Sequence, residues 1–484
     1  MILKNILFLL PVLILGILMV FLFLPHTTSK RYLLTLILGG LVGLGFHSLL
    51  SFWGLFISTT VRMAVVWVEW TLLLVLLYLC LRKIRLTSWR AFFIHLRQAI
   101  FSPNRFQIIF FLLLIGFIVT FVSSTLMKPM GQFDAHSMWN YKAKAMFITP
   151  GDLVQALRHP TDVTFHPDYP LLIPMLVNDL WVKLGEITSR SPIILAVFFT
   201  TALVVLMYAG VAALRDDSQA LMAAVLLIGA PYLSLIGSGQ TADIPLSVYL
   251  LAAITLMILA YRENHWRYAA LSGFMAGLAA WTKNEGLLFV VALFLANGWI
   301  LRNQLTKTRM GQLAAWWLGA FLPLLTVFIF KANMSVQNDL FVGFDWGRLL
   351  QLDRVFVILT ALGKEVLFWG GWEIPILAVF IASMVLLRRQ MSAEEKKETG
   401  LMGAFTLIAW MGFFTIYLIT PRDLEWHLRY SADRLMFQLY PPVVMGVMLF
   451  TLSIKEVVAK LPIGNRLRRL FLPDQMEPSL QNKS

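Results

Sequence analysis

The chain has 484 residues, of which 59 % are hydrophobic and only 14 % are charged, and its formal net charge at pH 7 is +14. A soluble protein of this length exposes far more charge, so the composition excludes a soluble globular protein and indicates an integral membrane protein. The excess of Lys and Arg is better explained by loops that face anionic lipid than by nucleic-acid binding. Cys80 is the single cysteine, which excludes intrachain disulfides and cysteine-based metal sites.

Apolar runs long enough to cross a bilayer recur along the chain, since a span requires about 20 mainly apolar residues. About thirteen such runs are present, so we predict an all-α polytopic membrane protein. The first run is predicted to be a retained helix and not a signal peptide, because no small-residue cleavage pattern follows it. The predicted spans are 5–24, 32–58, 63–81, 106–126, 191–214, 218–236, 243–261, 267–284, 285–301, 311–333, 371–387, 401–420 and 436–454.

The distribution of basic residues predicts the orientation. Lys and Arg concentrate in 82–105, 302–310, 388–399 and the tail after 455. These segments share one side when thirteen spans alternate, and the positive-inside rule makes that side cytoplasmic. The long loop 127–190 then faces outward, towards the periplasm or exterior if the protein lies in a bacterial inner membrane. Segment 82–105 also places aromatic residues among the basic ones at helical spacing, which predicts an amphipathic helix in the inner headgroup layer.

Two further segments are too short or too charged to span, and we predict that both form amphipathic helices on the outer surface. They are 171–184, in the first large loop, and 353–368. The predicted organisation comprises three extra spans with the amphipathic segment (1–105), a core with the large outer loop 127–190 (106–333), a C-terminal outer loop and spans (334–454) and a basic cytoplasmic tail (455–484).

Four polar clusters fall on the predicted outer side and form the candidate site. Each charge taken alone is more simply explained by snorkelling or by a nearby counter-charge. Ionisable groups at membrane depth cost about 2.5–3.5 kcal/mol each on insertion scales, however, so four clusters on one face favour a functional site. Lys283 and Glu285 are the clearest case, because they interrupt otherwise apolar sequence. The clusters are Asp134–Lys144, His166–Pro170, Gly237–Asp243 with Trp281–Glu285, and Arg422–Arg434.

These residue types suit group transfer from a phosphate. A carboxylate can accept the proton of an attacking hydroxyl, and the sequence leaves open whether Asp134 or Asp168 does so. Cationic side chains can hold a phosphate or diphosphate leaving group. We predict that role for Lys283, Arg429, Arg434 and, from the other side, Lys142. The predicted substrate-orienting residues are His136, Trp139, Tyr141, His166, Asp168, Tyr169, Asp243 and Glu285.

The patterns for other ligands are weak or missing. The sequence has no Walker or dinucleotide-binding pattern, which disfavours a soluble nucleotide. The spacing of His166 and Asp168 is compatible with a metal but of low specificity. A divalent cation therefore stays open, and no other cofactor is predicted.

Four short motifs in a fixed order resemble the GT-C superfamily of membrane glycosyltransferases, whose members include the protein O-mannosyltransferases and the lipid A aminoarabinose transferases. The resemblance extends over about residues 106–301. Three extra spans precede this region, and the loop acid is single where the mannosyltransferases have an adjacent acidic pair. The motifs are Phe133-Asp134-Ala135-His136, His166-Pro167-Asp168-Tyr169-Pro170, Asp243-Ile244-Pro245-Leu246 and Gly277-Leu278-Ala279-Ala280-Trp281-Thr282-Lys283.

The resemblance implies a GT-C-like helical bundle and an inverting transfer of a sugar to an acceptor hydroxyl at the outer face. The implied donor is a polyprenyl phosphate or diphosphate sugar, the acceptor is a glycan, lipid or protein, and the catalytic acid maps onto Asp134. The alternatives are a transporter or flippase of a lipid-linked glycan and a membrane scaffold. Transporters usually contain repeated halves, which this sequence does not show, and a scaffold leaves the polar outer loops unexplained.

Overall fold

The computed structural model describes residues 2–25, 31–83, 104–150, 153–157, 166–301, 306–334 and 345–460. These residues are helical and include no strand, which confirms the all-α prediction. The α-helices in chain order are α1 (Ile2–Phe23), α2 (Tyr32–Ile57), α3 (Thr59–Lys83), α4 (Arg105–Met127), α5 (Asn140–Ile148), α6 (Leu153–Leu157), α7 (Leu172–Leu184), α8 (Arg190–Leu214), α9 (Asp217–Ile228), α10 (Pro231–Ser238), α11 (Asp243–Glu263), α12 (Trp266–Thr282), α13 (Glu285–Leu301), α14 (Lys307–Met334), α15 (Leu352–Leu367), α16 (Ile376–Leu386), α17 (Ala393–Ile419), α18 (Leu424–Phe450) and α19 (Ile454–Lys460).

The number of spans is smaller than predicted by the apolar runs. Among the described residues, eight helices are long and apolar enough to cross a membrane, or ten if each of two bent pairs is one span. The predicted count of thirteen is therefore not confirmed. The run 218–236 is broken into α9 and α10 at an angle of 60°, because Pro231 cannot continue the preceding helix and instead begins a new one. Helices α12 and α13 have only 17 residues each.

The N-terminal helices form a tight unit on the core. A Cβ on Gly16 of α1 would lie 2.1 Å from the carbonyl oxygen of Gly39 in α2, so the two backbones are in contact, as small residues permit between membrane helices. The Ser191 hydroxyl at the start of α8 donates to Asn5 Oδ1 of α1 at 2.8 Å. Most of the predicted amphipathic segment 82–105, and the tail after 460, lie outside the described residues.

The two predicted outer helices form, but they differ in burial. Helix α15 buries only Ile358 and Leu362, as expected for a surface helix. Helix α7 differs from the prediction because most of its side chains are buried. The Ser48 hydroxyl of α2 donates to the carbonyl oxygen of Leu172, the first residue of α7, at 3.2 Å. Tertiary packing therefore makes α7 an internal helix.

Helix α11 lies at the centre of the bundle and carries a site residue at its first position. The whole apolar window of α11 is buried. Beside it, α12 and α14 approach so closely that a Cβ on Gly273 would lie 1.8 Å from the carbonyl oxygen of Trp316. This packing fixes the ends of α11 and α12, where Asp243 and Lys283 are located.

Candidate active site

Asp134 follows a turn that requires glycine. Gly131 has a φ of 73°, and a Cβ there would lie 2.6 Å from the Gly239 carbonyl oxygen. The amide of Gln132 donates to that same carbonyl at 2.9 Å. A π-helical turn, Ala135–Trp139, follows directly, and π turns are rare and concentrate at functional sites. Asp134 is thus fixed between the end of α4 and the turn between α10 and α11.

Gln240 also connects the turn between α10 and α11 to the end of α4. Its backbone is left-handed, with a φ of 56°, which is uncommon for a residue other than glycine and persists where surrounding contacts enforce it. Its side-chain amide donates to the carbonyl oxygens of Lys128 at 3.2 Å and Pro129 at 3.3 Å. The sequence gives only a weak turn signal here, and although Gln240 lies in one of the predicted polar clusters, the sequence predicted no role for it.

Five charged side chains form a continuous network at this junction. Asp134 pairs with Arg434 of α18, and Arg434 Nη1 lies 3.8 Å from Asp243 Oδ2. Lys283 Nζ is 2.9 Å from Asp243 Oδ1 and 2.7 Å from Glu285 Oε1. We call these five residues the charge network. The structure therefore brings Asp134, Lys283 and Arg434 together, although they are far apart in the sequence.

Asp243 is the centre of the charge network. It is 1 % exposed, and its Oδ1 also accepts a hydrogen bond from Gln438 Nε2 at 2.6 Å. Its Oδ2 accepts no hydrogen bond from the described residues and faces Arg434. A buried carboxylate is retained only when cations and donors compensate its desolvation. Asp243 thereby holds the Lys283 and Arg434 side chains in fixed positions.

The His166–Pro170 element is held through its backbone by Lys142 of α5. Lys142 is fully buried, and its Nζ donates to the carbonyl oxygens of His166 at 2.6 Å and Tyr169 at 3.0 Å. The ring of Tyr169 packs edge-on against Trp139 with centroids 5.7 Å apart. His166 itself has a φ of 42°, a left-handed backbone conformation that is uncommon for a residue other than glycine.

A second set of hydrogen bonds joins this element to the α12–α13 junction. Asn284 Nδ2 donates to Asp168 Oδ2 at 2.8 Å. Lys331 Nζ of α14 donates to the Asp168 carbonyl oxygen at 2.9 Å and to Asn284 Oδ1 at 2.7 Å. Because Asn284 lies between Lys283 and Glu285, the element is connected to the charge network. Asn284 lies in a predicted polar cluster but had no predicted role, and Lys331 was not predicted to belong to the site.

Lys142 gives the protein a pH-dependent stability. Burial lowers the pKa of Lys142 from 10.5 to about 7. Well below pH 7 the Lys142 amine is protonated in both the folded and the unfolded chain. Between about pH 7 and pH 10.5 it is fully protonated only in the unfolded chain. The contribution of Lys142 to the free energy of unfolding therefore rises with pH across this window. We expect the melting temperature of the wild type to rise relative to that of Lys142→Met over this range, measured in detergent.

Lys144→Met is the matched control for this measurement, because Lys144 is exposed on the same helix. Its difference from the wild type is expected to stay constant with pH. A constant difference for Lys142→Met as well would contradict the lowered pKa.

A cluster of cations lies next to His166. Arg422 Nη2 is 3.5 Å from His166 Nε2, and the Arg422 guanidinium is 5.7 Å from the ring centroid of Trp426. Arg354 of α15 donates to the Thr420 carbonyl oxygen at 3.2 Å. Burial, followed by the charges of Arg422 and Arg354, lowers the pKa of His427 to about 4. The positive charges near His166 and His427 thus favour the binding of an anion.

The central part of the chain matches a known protein family. Residues 168–330 match the family model described as dolichyl-phosphate-mannose-protein mannosyltransferase, a GT-C family. The matched residues are about a third of the chain, and over them the chain is similar to a GT-C glycosyltransferase family. The match includes Asp168, Asp243, Lys283 and Glu285, whereas Asp134 and Arg434 lie outside the matched residues. A search of curated proteins found no significant match.

Three of the predicted site residues lie at the surface. The side chains of His136, Tyr141 and Arg429 are exposed, and none of them belongs to the charge network. Arg429 is on α18 between Arg422 and Arg434. Their side chains therefore do not form the buried interior of the site.

The weak metal pattern is not supported by a larger ligand set. In the part of the chain that the structure describes, no group of three or more His, Cys, Asp or Glu side chains is arranged to hold a metal ion. Asp168 contacts Asn284 and His166 contacts Arg422, so the two side chains of the pattern face different partners.

Proposed function

We propose that the protein is an inverting glycosyltransferase that moves a sugar from a polyprenyl phosphate or diphosphate donor to an acceptor hydroxyl at the outward face of a bacterial inner membrane. Mannose is the first sugar to test, because the matched family is described by that donor. The observation that carries the proposal is the charge network, in which an accessible acid and an arginine meet beside the matched region.

Asp134 is the proposed general base. Its side chain is 24 % exposed and is oriented by Arg434, so an acceptor hydroxyl can reach it. The base takes the hydroxyl proton while the hydroxyl oxygen attacks the anomeric carbon. The bond from that carbon to the phosphate oxygen breaks, and the phosphate leaves with the electron pair on the opposite face of the sugar. Asp168 is the weaker candidate, because it is 8 % exposed and accepts from Asn284.

The leaving phosphate is proposed to bind arginine side chains. Lys283 contacts two carboxylates and Lys142 contacts two carbonyl oxygens, which favours a positioning role for both lysines over the clamp role expected from the sequence. Arg434, Arg429 and the additional Arg422 retain exposed surface. A guanidinium matches phosphate oxygens with two parallel hydrogen bonds and stabilises the charge that develops as the bond breaks.

The remaining predicted residues are proposed to orient the sugar and the acceptor. Tyr141 and His136 have exposed side chains at the approach and can contact the sugar. Trp139 and Tyr169 pack against each other beneath it, and they are proposed to shape the floor of the site. Asp243 and Glu285 are proposed to fix the cations and not to contact the sugar.

The test is a transfer assay with purified protein in liposomes, using labelled polyprenyl-phosphate mannose and an extract of cell-envelope glycans, lipids and proteins as acceptors. We expect a covalently labelled product in which the configuration at the anomeric carbon is inverted. Panels of other lipid-linked sugars, including pentoses, then define the donor. Movement of labelled donor across the liposome bilayer with no transfer of its sugar to any acceptor would instead establish a flippase.

A further inference from the structure

A second cluster of buried charges lies among the extra N-terminal helices, away from the charge network. His47 is in α2 and is 3 % exposed. Its Nδ1 pairs with Glu69 of α3, and its Nε2 is 2.6 Å from Asp179 Oδ2 of α7. Lys183, one turn further along α7, lies 3.8 Å from the same carboxylate. Ionisable groups inside apolar spans are costly and generally functional.

The cluster balances its own charge. A carboxylate accepts hydrogen bonds and donates none, so an imidazole between two carboxylates carries an N–H on both nitrogens and is a cation. His47 and Lys183 then offset Glu69 and Asp179. The cluster is neutral overall but presents opposite charges at neighbouring points.

A cavity of about 270 Å³ adjoins this cluster. Its walls are mainly apolar side chains of α1 and α3, including Phe8, Leu15 and Trp70, and its polar lining is Glu69 and Lys183. Both helices are candidate spans, and most of their surface is not buried in the protein. A molecule that enters between them therefore comes from the lipid phase and has apolar chains.

We propose that this cavity binds a phospholipid with a primary amine in its headgroup, of the phosphatidylethanolamine class. The phosphate pairs with Lys183, the ammonium donates to Glu69, and an acyl chain follows the apolar walls. An anionic lipid would face two carboxylates, whereas a zwitterion matches the adjacent opposite charges. A choline headgroup carries no N–H donor and forms no hydrogen bond to Glu69.

The lipid would connect the extra helices to the region of the active site. Asp179 and Lys183 belong to α7, which begins directly after the His166–Pro170 element. A headgroup bound to Lys183 braces α7 against α1 and α3. This inference does not depend on the proposed function, because it concerns lipid binding between α1, α3 and α7 and uses no residue of the charge network.

The test is native mass spectrometry of the delipidated full-length protein, titrated with phosphatidylethanolamine or phosphatidylcholine of identical acyl chains. We expect one ethanolamine lipid to bind with about tenfold higher affinity than the choline lipid, equivalent to one charge-assisted hydrogen bond. Glu69→Gln is expected to abolish this preference, whereas Lys183→Met is expected to weaken binding of both lipids, because both carry the phosphate that Lys183 pairs with. Equal affinity of the unmutated protein for both lipids would overturn the proposal without requiring any variant.

Lys364→Met is the matched control, because Lys364 is an exposed lysine in the last turn of another outer helix, α15. It is expected to bind both lipids as the wild type does. Weakened binding in this control, or retention of the preference in Glu69→Gln, would mean that the lipid binds at another part of the surface.

Discussion

Replacement of Asp134 by Asn is expected to lower sugar transfer by about 10²–10⁴-fold, the range that general base catalysis contributes. The amide keeps the size of the side chain but cannot accept the acceptor proton. Because Asp134 is partly exposed and Arg434 keeps Asp243 as a counter-charge, the melting temperature is expected to change little. The rate is measured at saturating donor in the liposome assay, and the melting temperature in detergent.

Two further Asp→Asn variants test whether the loss of transfer is specific to Asp134. Asp353 is an exposed acid in the first turn of α15 and serves as the control, with the wild-type rate expected. Asp168→Asn is expected to retain measurable transfer, because Asp168 is bound to Asn284. A wild-type rate in Asp134→Asn together with loss of transfer in Asp168→Asn would move the base to Asp168.

The convergence of the site could be predicted from sequence because its polar clusters border apolar runs. Asp134, Lys283 and Arg434 follow or precede apolar runs whose alternation across the bilayer assigns them to one side. The side-chain pairs could not be predicted in this way. Lys283 was expected to bind phosphate, but its contacts with Asp243 and Glu285 depend on how α11, α12 and α13 pack.

The buried charge cluster of the N-terminal helices was not predicted, because it also depends on how helices pack. His47, Glu69 and Asp179 are single ionisable residues in three different helices, and only the packing of α2, α3 and α7 brings them together. Breaks within an apolar run are also invisible to hydropathy. The helix break before Pro231 and the burial of α7 both follow from tertiary contacts and backbone geometry.

Replacement of Asp243 by Ala is expected to destabilise the protein by about 3–5 kcal/mol, the usual cost of removing one partner of a buried ion pair. Lys283 would keep Glu285, but Arg434 would lose a counter-charge, and Gln438 would lose its acceptor. With its cations displaced, the charge network would no longer orient Asp134. We therefore expect transfer per folded molecule to fall as well, measured on the monodisperse fraction at a temperature below the melting transition.

Glu398→Ala is the matched variant, because Glu398 is 3 % exposed and pairs with Arg262 at 2.6 Å, without contact to the charge network. It breaks a buried ion pair of the same kind, so a comparable loss of stability is expected. Transfer per folded molecule should nevertheless stay at the wild-type level. If both variants lost stability and both kept full transfer, Asp243 would be a structural residue only, and the proposed positioning of Arg434 and Asp134 through it would be wrong.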